Sequence, residues 1–212
     1  MSSEHFLEHK NSRSLLVRRQ FLAKLGMFAG AVALGIPDDA EAFHWPWSKD
    51  VAECGVDVGR LDCRWLARNQ KMLRDYANYI EGLHLRNITV QQVVEAHAKR
   101  RGSVWNELPP KSDWRNIRHT LEVVDRVSRE LDVPVTEIVS VYRTPAYNRR
   151  CPGAKRHSWH MRNFAVDVKM GTRPSRVAAM ARKLRGRGEF RGGVGRYWNF
   201  THIDTRGNNV DW

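Results

Sequence analysis

Two histidines and one aspartate in the last third of the chain carry the chemistry that this sequence most readily suggests. His160, Asp167 and His202 each lie in or beside a predicted strand. Two imidazoles and one carboxylate from separate strands can supply three protein ligands to Zn²⁺, which leaves a fourth position for water. Such an open site lowers the pKa of bound water to about 7 and polarises a carbonyl group, as amide hydrolysis requires. The spacing alone also fits a buried structural His–Asp pair.

Four motifs in a fixed order surround these residues. They are Val141-Tyr-Arg-Thr-Pro-Ala-Tyr-Asn148, Ser158-x-His160 with Ala165-x-Asp167, Gly192-Gly-Val-Gly-Arg-Tyr197, and Phe200-Thr-His202-Ile-Asp-Thr-Arg-Gly207. Together they resemble the M15 zinc D-Ala-D-Ala carboxypeptidases, in particular the branch of single-domain peptidoglycan-trimming peptidases and exported murein endopeptidases. The resemblance covers residues 138–212. It implies a hedgehog/DD-peptidase-like fold and the hydrolysis of peptidoglycan stem peptides or cross-links.

The resemblance also implies roles for particular residues. His160, Asp167 and His202 match the zinc ligands of the family, with Zn²⁺ as the cofactor. Arg143 matches an arginine that binds a substrate carboxylate or stabilises the oxyanion, which suits a permanently charged donor. A structural ion pair is the alternative role for Arg143. The expected partner is a peptidoglycan peptide.

Two positions depart from the family pattern. Asn163 replaces the usual glycine of the first histidine motif, and asparagine tolerates left-handed backbone torsions better than most residues. Asn199 stands where many relatives have a glutamate that acts as general base, three residues before His202. Asp204 is the candidate substitute, and its alternative role is to orient His202. His157 is the fallback base. The missing glutamate also leaves open a catalytically inactive, zinc-stabilised module that binds cell-wall peptide.

Apolar periodicity predicts the elements that must position these residues. Helices are expected over 65–80, from the capping box at Thr89, over 116–131 and over 174–184. Strands are expected over 138–142, 165–168, 193–197 and 200–205. Because helices precede strands without βαβ alternation, the prediction is an α+β domain. A small antiparallel sheet carries the zinc site and packs with N-terminal helices, while His97 is expected to be a half-buried packing residue.

The first forty-two residues have the three parts of a signal peptide. A basic region with Arg18 and Arg19 precedes an apolar run from 25 to 36, and an Ala-x-Ala site ends at Ala42. The paired arginines are typical of twin-arginine signals. We therefore expect a bacterial protein exported to the periplasm or cell wall, with an N-terminal helical part at 43–137 and a peptidase core at 138–212. An amphipathic helix or membrane anchor is the alternative for the signal segment.

Composition and net charge exclude several classes of protein and bear on the partner. The chain has 212 residues and a formal net charge of +13, and 42% of its residues are hydrophobic. These values exclude wholesale disorder, a collagen and a polytopic membrane protein, since the apolar run is shorter than the roughly 18 residues of a spanning helix. Export makes an anionic cell-envelope polymer the expected partner of the positive charge rather than nucleic acid, although a merely solvated basic face is an equal alternative. We expect a monomer with no membrane span after cleavage.

Three cysteines are too few for a disulfide framework. Cys54 and Cys63 could close a short loop in an oxidising compartment, and Cys151 could compete for either of them.

Overall fold

Capped amphipathic helices form the first half of the computed structural model, which describes residues 52–212. Helix α1 spans Cys63–Glu81, and the Asp62 side chain caps its first turn. Helix α2 spans Val90–His97 and begins with the predicted capping box at Thr89. Both helices bury their apolar sides in one core. The predicted signal segment at 1–42 lies outside the described residues.

The remaining helices frame the sheet. Helix α3 spans Trp114–Leu131 and ends where Asp132 adopts a left-handed conformation with φ of 51°. Helix α4 is the short segment Pro145–Asn148, and α5 spans Pro174–Gly186 with proline in its first turn. Within residues 52–212 there are also three 3₁₀ helices: Val58–Arg60, Lys111–Asp113 and Trp159–Arg162.

Seven strands form two sheets in the described part of the chain. A small antiparallel hairpin pairs β1 with β2, and the main sheet has the order β3-β4-β6-β5-β7. The strands are β1 Arg100–Arg101, β2 Val104–Trp105, β3 Val135–Ser140, β4 Ala165–Met170, β5 Gly193–Arg196, β6 Thr201–Asp204 and β7 Val210–Asp211. The predicted α+β class is confirmed. The main sheet is mixed rather than wholly antiparallel, because β7 adds parallel to β5 at one edge.

The two faces of the main sheet have different side chains. Val166 pairs with Ile203, and Ile203 pairs with Val194, so an apolar row crosses β4, β6 and β5. This row belongs to the core that α3 and α5 cover. Because side chains alternate along a strand, Asp167 and His202 point to the opposite face.

The strand predicted over 138–142 was placed too late in the chain. The structure forms β3 earlier, at Val135–Ser140, and ends it before Val141. The carbonyl oxygens of Val141 and Tyr142 accept hydrogen bonds from the side chains of His160 and Asn106 rather than from a neighbouring strand. Strands β1, β2 and β7 have two residues each, which is too short for a periodicity signal.

His97 is fully buried rather than half-buried as expected, with no exposed surface.

No disulfide joins the cysteines within residues 52–212. The Sγ of Cys54 instead donates to Asn78 Oδ1 at 2.7 Å. In the same part of the chain, no helix has the length and apolarity needed to cross a membrane.

Candidate metal centre

Strand register brings two of the predicted ligands together. Asp167 on β4 and His202 on β6 are directly opposite each other in the antiparallel pairing. Ser140 on β3 is opposite Asp167, and Gly195 on β5 is opposite His202, so the four residues form one row across the sheet. Directly opposed residues place their Cβ atoms about 5 Å apart on the same face. The row therefore fixes the separation of the two ligand side chains.

The third predicted ligand comes from a turn rather than from a strand. His160 lies in the 3₁₀ helix Trp159–Arg162, just before β4, and the hydroxyl of Ser158 accepts the backbone N–H of His160 at 3.3 Å. Asn163 ends this helix with a φ of 57°. This value lies in the left-handed backbone region that asparagine tolerates better than most residues. The Asn163 side chain donates to the backbone oxygen of Asp113 at 2.9 Å.

The three side chains converge on one point. His160 Nε2 lies 3.3 Å from His202 Nδ1 and 3.2 Å from Asp167 Oδ1, and His202 Nδ1 lies 2.8 Å from Asp167 Oδ1. One ligand atom from each residue lies within 4.8 Å of the others, and all three residues are buried. Three mixed N/O donors converging in this way fit a tetrahedral zinc site with one open position.

The ring nitrogens that point away from the ligand cluster donate hydrogen bonds to oxygen atoms, as a metal site requires. His160 Nδ1 donates to the carbonyl oxygen of Val141 at 2.6 Å, which leaves Nε2 as the lone-pair nitrogen. His202 Nε2 donates to Asp204 Oδ2 at 2.8 Å, which leaves Nδ1 for the metal. Hydrogen bonds of this kind fix the tautomer and the ring orientation of metal-binding histidines. The residues present therefore fit a zinc ion.

The charges of the site favour the ligating protonation states of His160 and Asp167 but not that of His202. Burial alone would lower the pKa of His202, but the carboxylates of Asp167 and Asp204 raise that pKa above its ordinary value. Burial lowers the pKa of His160 below its ordinary value, although the Asp167 carboxylate opposes this shift. Burial alone would raise the pKa of Asp167, but His160 and His202 beside it hold that pKa well below the usual range. Asp167 is therefore an anion at neutral pH, as a metal ligand must be.

Arg143 contacts the carboxylate ligand from its other side. Its Nη2 donates to Asp167 Oδ2, its Nε donates to Ser140 Oγ at 2.7 Å, and its backbone N–H donates to the oxygen of His160 at 3.1 Å. The side chain is 13% exposed. The two Asp167 oxygens therefore have separate partners, with Oδ1 facing the imidazoles and Oδ2 facing the guanidinium.

Asn106 is a site-supporting residue that sequence reasoning did not identify. Its Nδ2 donates to the oxygen of Tyr142 at 2.8 Å, and its Oδ1 accepts the N–H of Thr144 at 2.9 Å. The backbone on both sides of Arg143 is thus attached to one buried amide. In turn, Trp65 Nε1 donates to the oxygen of Asn106 at 2.9 Å. Nothing local in the sequence marks Asn106, because its partners lie far away along the chain.

The remaining predicted site residues lie in different places. Asp204 is fully buried next to His202, on the Nε2 side of the ring, whereas the ligand cluster is on the Nδ1 side. His157 and Asn199 are exposed. The neighbouring Trp198 is 97% exposed. The structure thus groups Arg143 and Asp204 with the three ligands, and places His157 in an exposed loop.

The main sheet of this α+β domain carries a buried His–Asp–His cluster on one face. Such a cluster indicates a candidate metal-dependent hydrolase. Comparison with protein families narrows this class: the model of the family Peptidase M15 matches residues 80–204, which is more than half of the chain. The chain therefore belongs to the Peptidase M15 family and is a metallopeptidase, as its motifs predicted. Comparisons with curated proteins and with solved structures found no match.

The family match extends beyond the four motifs on the N-terminal side and ends at Asp204, within the fourth motif. It begins at Ile80, near the end of α1, and so includes α2, the β1–β2 hairpin and α3. Asn106, which holds the Arg143 segment, lies within this added part. Helices α2 and α3 are therefore part of the family domain.

Proposed function

We propose that the protein is an exported zinc peptidase that hydrolyses peptidoglycan stem peptides or their cross-links. The observation that most directly supports this proposal is the convergence of His160 Nε2, Asp167 Oδ1 and His202 Nδ1 at one buried point. Bound there, Zn²⁺ supplies Lewis-acid polarisation of the scissile carbonyl and lowers the pKa of water. Membership of the Peptidase M15 family supports the peptidase activity. The cell-wall substrate rests on the motif resemblance.

Arg143 is proposed to hold an anionic group of the substrate or of the transition state. Its Nε and Nη2 are already bonded to Ser140 and Asp167, which fix the plane of the guanidinium. Within residues 52–212, no hydrogen bond engages its Nη1. A guanidinium that is anchored on one side and has donors remaining on the other can stabilise developing negative charge with little reorganisation.

Asp204 is proposed to orient His202 rather than to accept the proton of the attacking water. Its Oδ2 receives the Nε2 proton of His202, and Nε2 is the ring nitrogen that points away from the ligand cluster. Its Oδ1 accepts the backbone N–H of Gly193 at 3.0 Å. The role of general base stays a prediction for Asp204, and these contacts support the orienting alternative.

A digest of purified sacculi tests the proposal. The protein, with and without a chelator, is incubated with sacculi, and the soluble and residual muropeptides are analysed by mass spectrometry. Loss of a single terminal alanine would identify a carboxypeptidase, whereas conversion of cross-linked dimers to monomers would identify an endopeptidase. A His202→Ala variant is the matched control. An unchanged muropeptide profile with zinc-loaded protein would reject the proposed hydrolysis.

A second function is favoured by one observation. Asn199, which replaces the glutamate of many relatives, is exposed on the turn between β5 and β6 and cannot accept a proton at neutral pH. A zinc-stabilised module that binds cell-wall peptide without cutting it would tolerate this residue. Retention of the protein on sacculi, with no change in muropeptide masses, would favour this second function.

The uneven charge of the chain supports an anionic cell-envelope polymer as partner. Residues 138–212 contain 16 Lys and Arg against 4 Asp and Glu, whereas residues 43–137 contain 15 against 14. The segment between α4 and His160 presents four exposed cations: Arg149, Arg150, Lys155 and Arg156. Fixed positive charge beside the site would concentrate the enzyme on an anionic polymer, and salt would weaken this attraction.

Two triple variants with the same loss of charge test this partner. One replaces Arg149, Arg150 and Arg156 with alanine, and the control replaces the exposed Arg64, Arg68 and Lys71 of α1. Cosedimentation with sacculi at low and high salt is the measurement. Binding should fall more for the first variant, and the difference should vanish at high salt. Equal losses would indicate a response to net charge alone.

Export is proposed from the first forty-two residues, which lie outside the described part of the chain. A fusion of residues 1–45 to a folded reporter should leave the cytoplasm by the twin-arginine route. Replacing Arg18 and Arg19 with lysine together should block this movement. Unchanged export of the double variant would instead indicate the general secretory route.

A further inference from the structure

A buried carboxylate connects the metal centre to a cation between two indole rings. Asp204 receives the Nε2 proton of His202 through its Oδ2. It also accepts the Nε–H of Arg206 at 2.7 Å through Oδ1, and Arg206 Nη2 contacts Oδ2. The Asp204 side chain has no exposed surface, and that of Arg206 is 16% exposed. The guanidinium therefore neutralises a buried charge through a two-point contact.

The guanidinium of Arg206 itself contacts two indole rings. Its central carbon lies 5.3 Å from the ring centroid of Trp159 and 5.3 Å from that of Trp212. Trp159 belongs to the 3₁₀ helix that presents His160, whereas Trp212 follows β7 at the edge of the sheet. Each indole face attracts a cation by about 0.5–2 kcal/mol, depending on exposure. Trp159 is shared with Arg162, whose central carbon lies 4.9 Å from the same ring centroid. The two indoles together limit the movement of the Arg206 guanidinium.

Trp212 is fixed against the sheet by several independent contacts. Its backbone N–H donates to Val194 at 3.3 Å, its carbonyl accepts from Arg196 at 2.9 Å, and its Nε1 donates to Tyr197 Oη at 2.9 Å. Its ring also packs against the imidazole of His202, with the centroids 5.1 Å apart. Trp212 is 44% exposed, so these contacts rather than burial hold its ring beside Arg206.

Two glycines of β5 make room for this arrangement. A Cβ atom on Gly195 would lie 2.4 Å from Trp212 Nε1. A Cβ atom on Gly193 would lie 2.5 Å from Asp204 Oδ2 and 2.9 Å from Arg206 Nη2. Such approaches are too close for any side chain. The Gly-x-Gly pattern of this strand therefore has a steric reason.

We propose that Arg206, clamped between Trp159 and Trp212, is a positioning residue that fixes His202 for metal binding through Asp204. The inference rests on the proposed zinc site. Without the clamp, the Asp204 carboxylate loses its two-point partner, and the Nε2 proton of His202 loses a fixed acceptor. The imidazole then samples orientations in which Nδ1 does not face Asp167 and His160. Loss of such outer partners lowers metal affinity by about 10–100-fold.

Zinc affinity, measured by competition with a chromogenic chelator, tests the clamp in the folded protein. The temperature is kept well below the melting point of each metal-free variant. Trp212→Ala and Arg206→Lys should each weaken zinc binding by about tenfold, and Trp212→Phe should restore most of the affinity. Gly195→Ala, which displaces the Trp212 ring without touching a charge, should resemble Trp212→Ala. The control Trp198→Ala should change the affinity by less than about twofold.

The outcomes separate positioning from structural support. A purely structural clamp would lower the melting temperature of the metal-free protein and leave the zinc dissociation constant of the folded protein unchanged; that result would overturn the proposal. An equal loss in Trp198→Ala would overturn it as well. Zinc binding by His202→Ala at the parent's affinity would reject the metal site itself, and the clamp with it.

Discussion

Histidines are buried in both halves of the molecule, but their surroundings differ. His97 in the helical half is fully buried, and His160 and His202 on the sheet face are 2% and 6% exposed. His97 Nε2 lies 2.9 Å from the hydroxyl of Tyr76, and the backbone of Tyr142 also interacts with the ring. On the sheet face, one nitrogen of each ring has an oxygen acceptor, and the other faces the ligand cluster.

The comparison shows that burial alone does not identify a metal-binding histidine. Burial holds the pKa of His97 at about 3, so this ring is neutral and serves packing. The distinguishing feature of His160 and His202 is an acceptor for one ring nitrogen together with a carboxylate beside the other. The acceptor determines which nitrogen is available as a ligand.

Two single variants, each replacing a buried histidine in one half of the molecule, should differ most in zinc content and activity. We expect His202→Ala to lose stoichiometric zinc and all detectable peptidase activity, because two remaining protein ligands do not hold zinc tightly. His97→Gln should keep both, since its amide can still partner the Tyr76 hydroxyl. Elemental analysis of the purified proteins and a muropeptide assay measure these outcomes. If His202→Ala keeps one zinc per chain, the ligand assignment is wrong.

Arg143 should separate catalysis from metal binding. Arg143→Ala is expected to lower kcat/KM by about 10²–10³-fold, the size of effect seen when an oxyanion donor is removed, with zinc content maintained. The exposed Arg149 provides the matched control, and Arg149→Ala should have a small effect on a short peptide substrate. Zinc content and steady-state kinetics are measured together. Loss of zinc in Arg143→Ala would instead assign Arg143 to the support of Asp167.

Asp204 should affect the metal more than the chemistry. Asp204→Asn keeps the shape of the side chain but removes its charge, so we expect zinc affinity to fall by about 10–100-fold. Activity should then recover when zinc is supplied in excess. A turnover that stays about 10²-fold low at full zinc occupancy would support the general-base role instead.

His97 should affect only the acid stability of the fold. Its pKa of about 3 in the folded protein lies below the ordinary 6.5, so the unfolded chain binds a proton that the folded chain does not. The free energy of unfolding should therefore decrease as the pH falls from 6.5 towards 3, by up to about 1.4 kcal/mol per pH unit. Urea titrations of the metal-free parent and His97→Gln measure this slope. The variant should show a smaller slope, and equal slopes would contradict the prediction.

Local patterns in the sequence predicted the helices and strands, and the three side chains that converge in the structure, better than the residues that support them. The stripe of α3 and the capping box at Thr89 involve residues within a few positions, and Asn163 adopts the predicted left-handed backbone because that preference belongs to the residue itself. Asn106 and Trp212 act on partners in other elements. Their roles depend on which elements meet, and periodicity does not contain this information.

The pairing of β4 with β6 makes assembly of the site and completion of the fold one event. Asp167 and His202 face each other only in the native register, and a slip of one residue would turn one of them towards the helices. Such a slip would also expose Val166 or Ile203 on the opposite face. A chain with this register shift therefore lacks one of the three converging ligands. Zinc binding, followed during refolding, would therefore measure when β4 and β6 reach their native register.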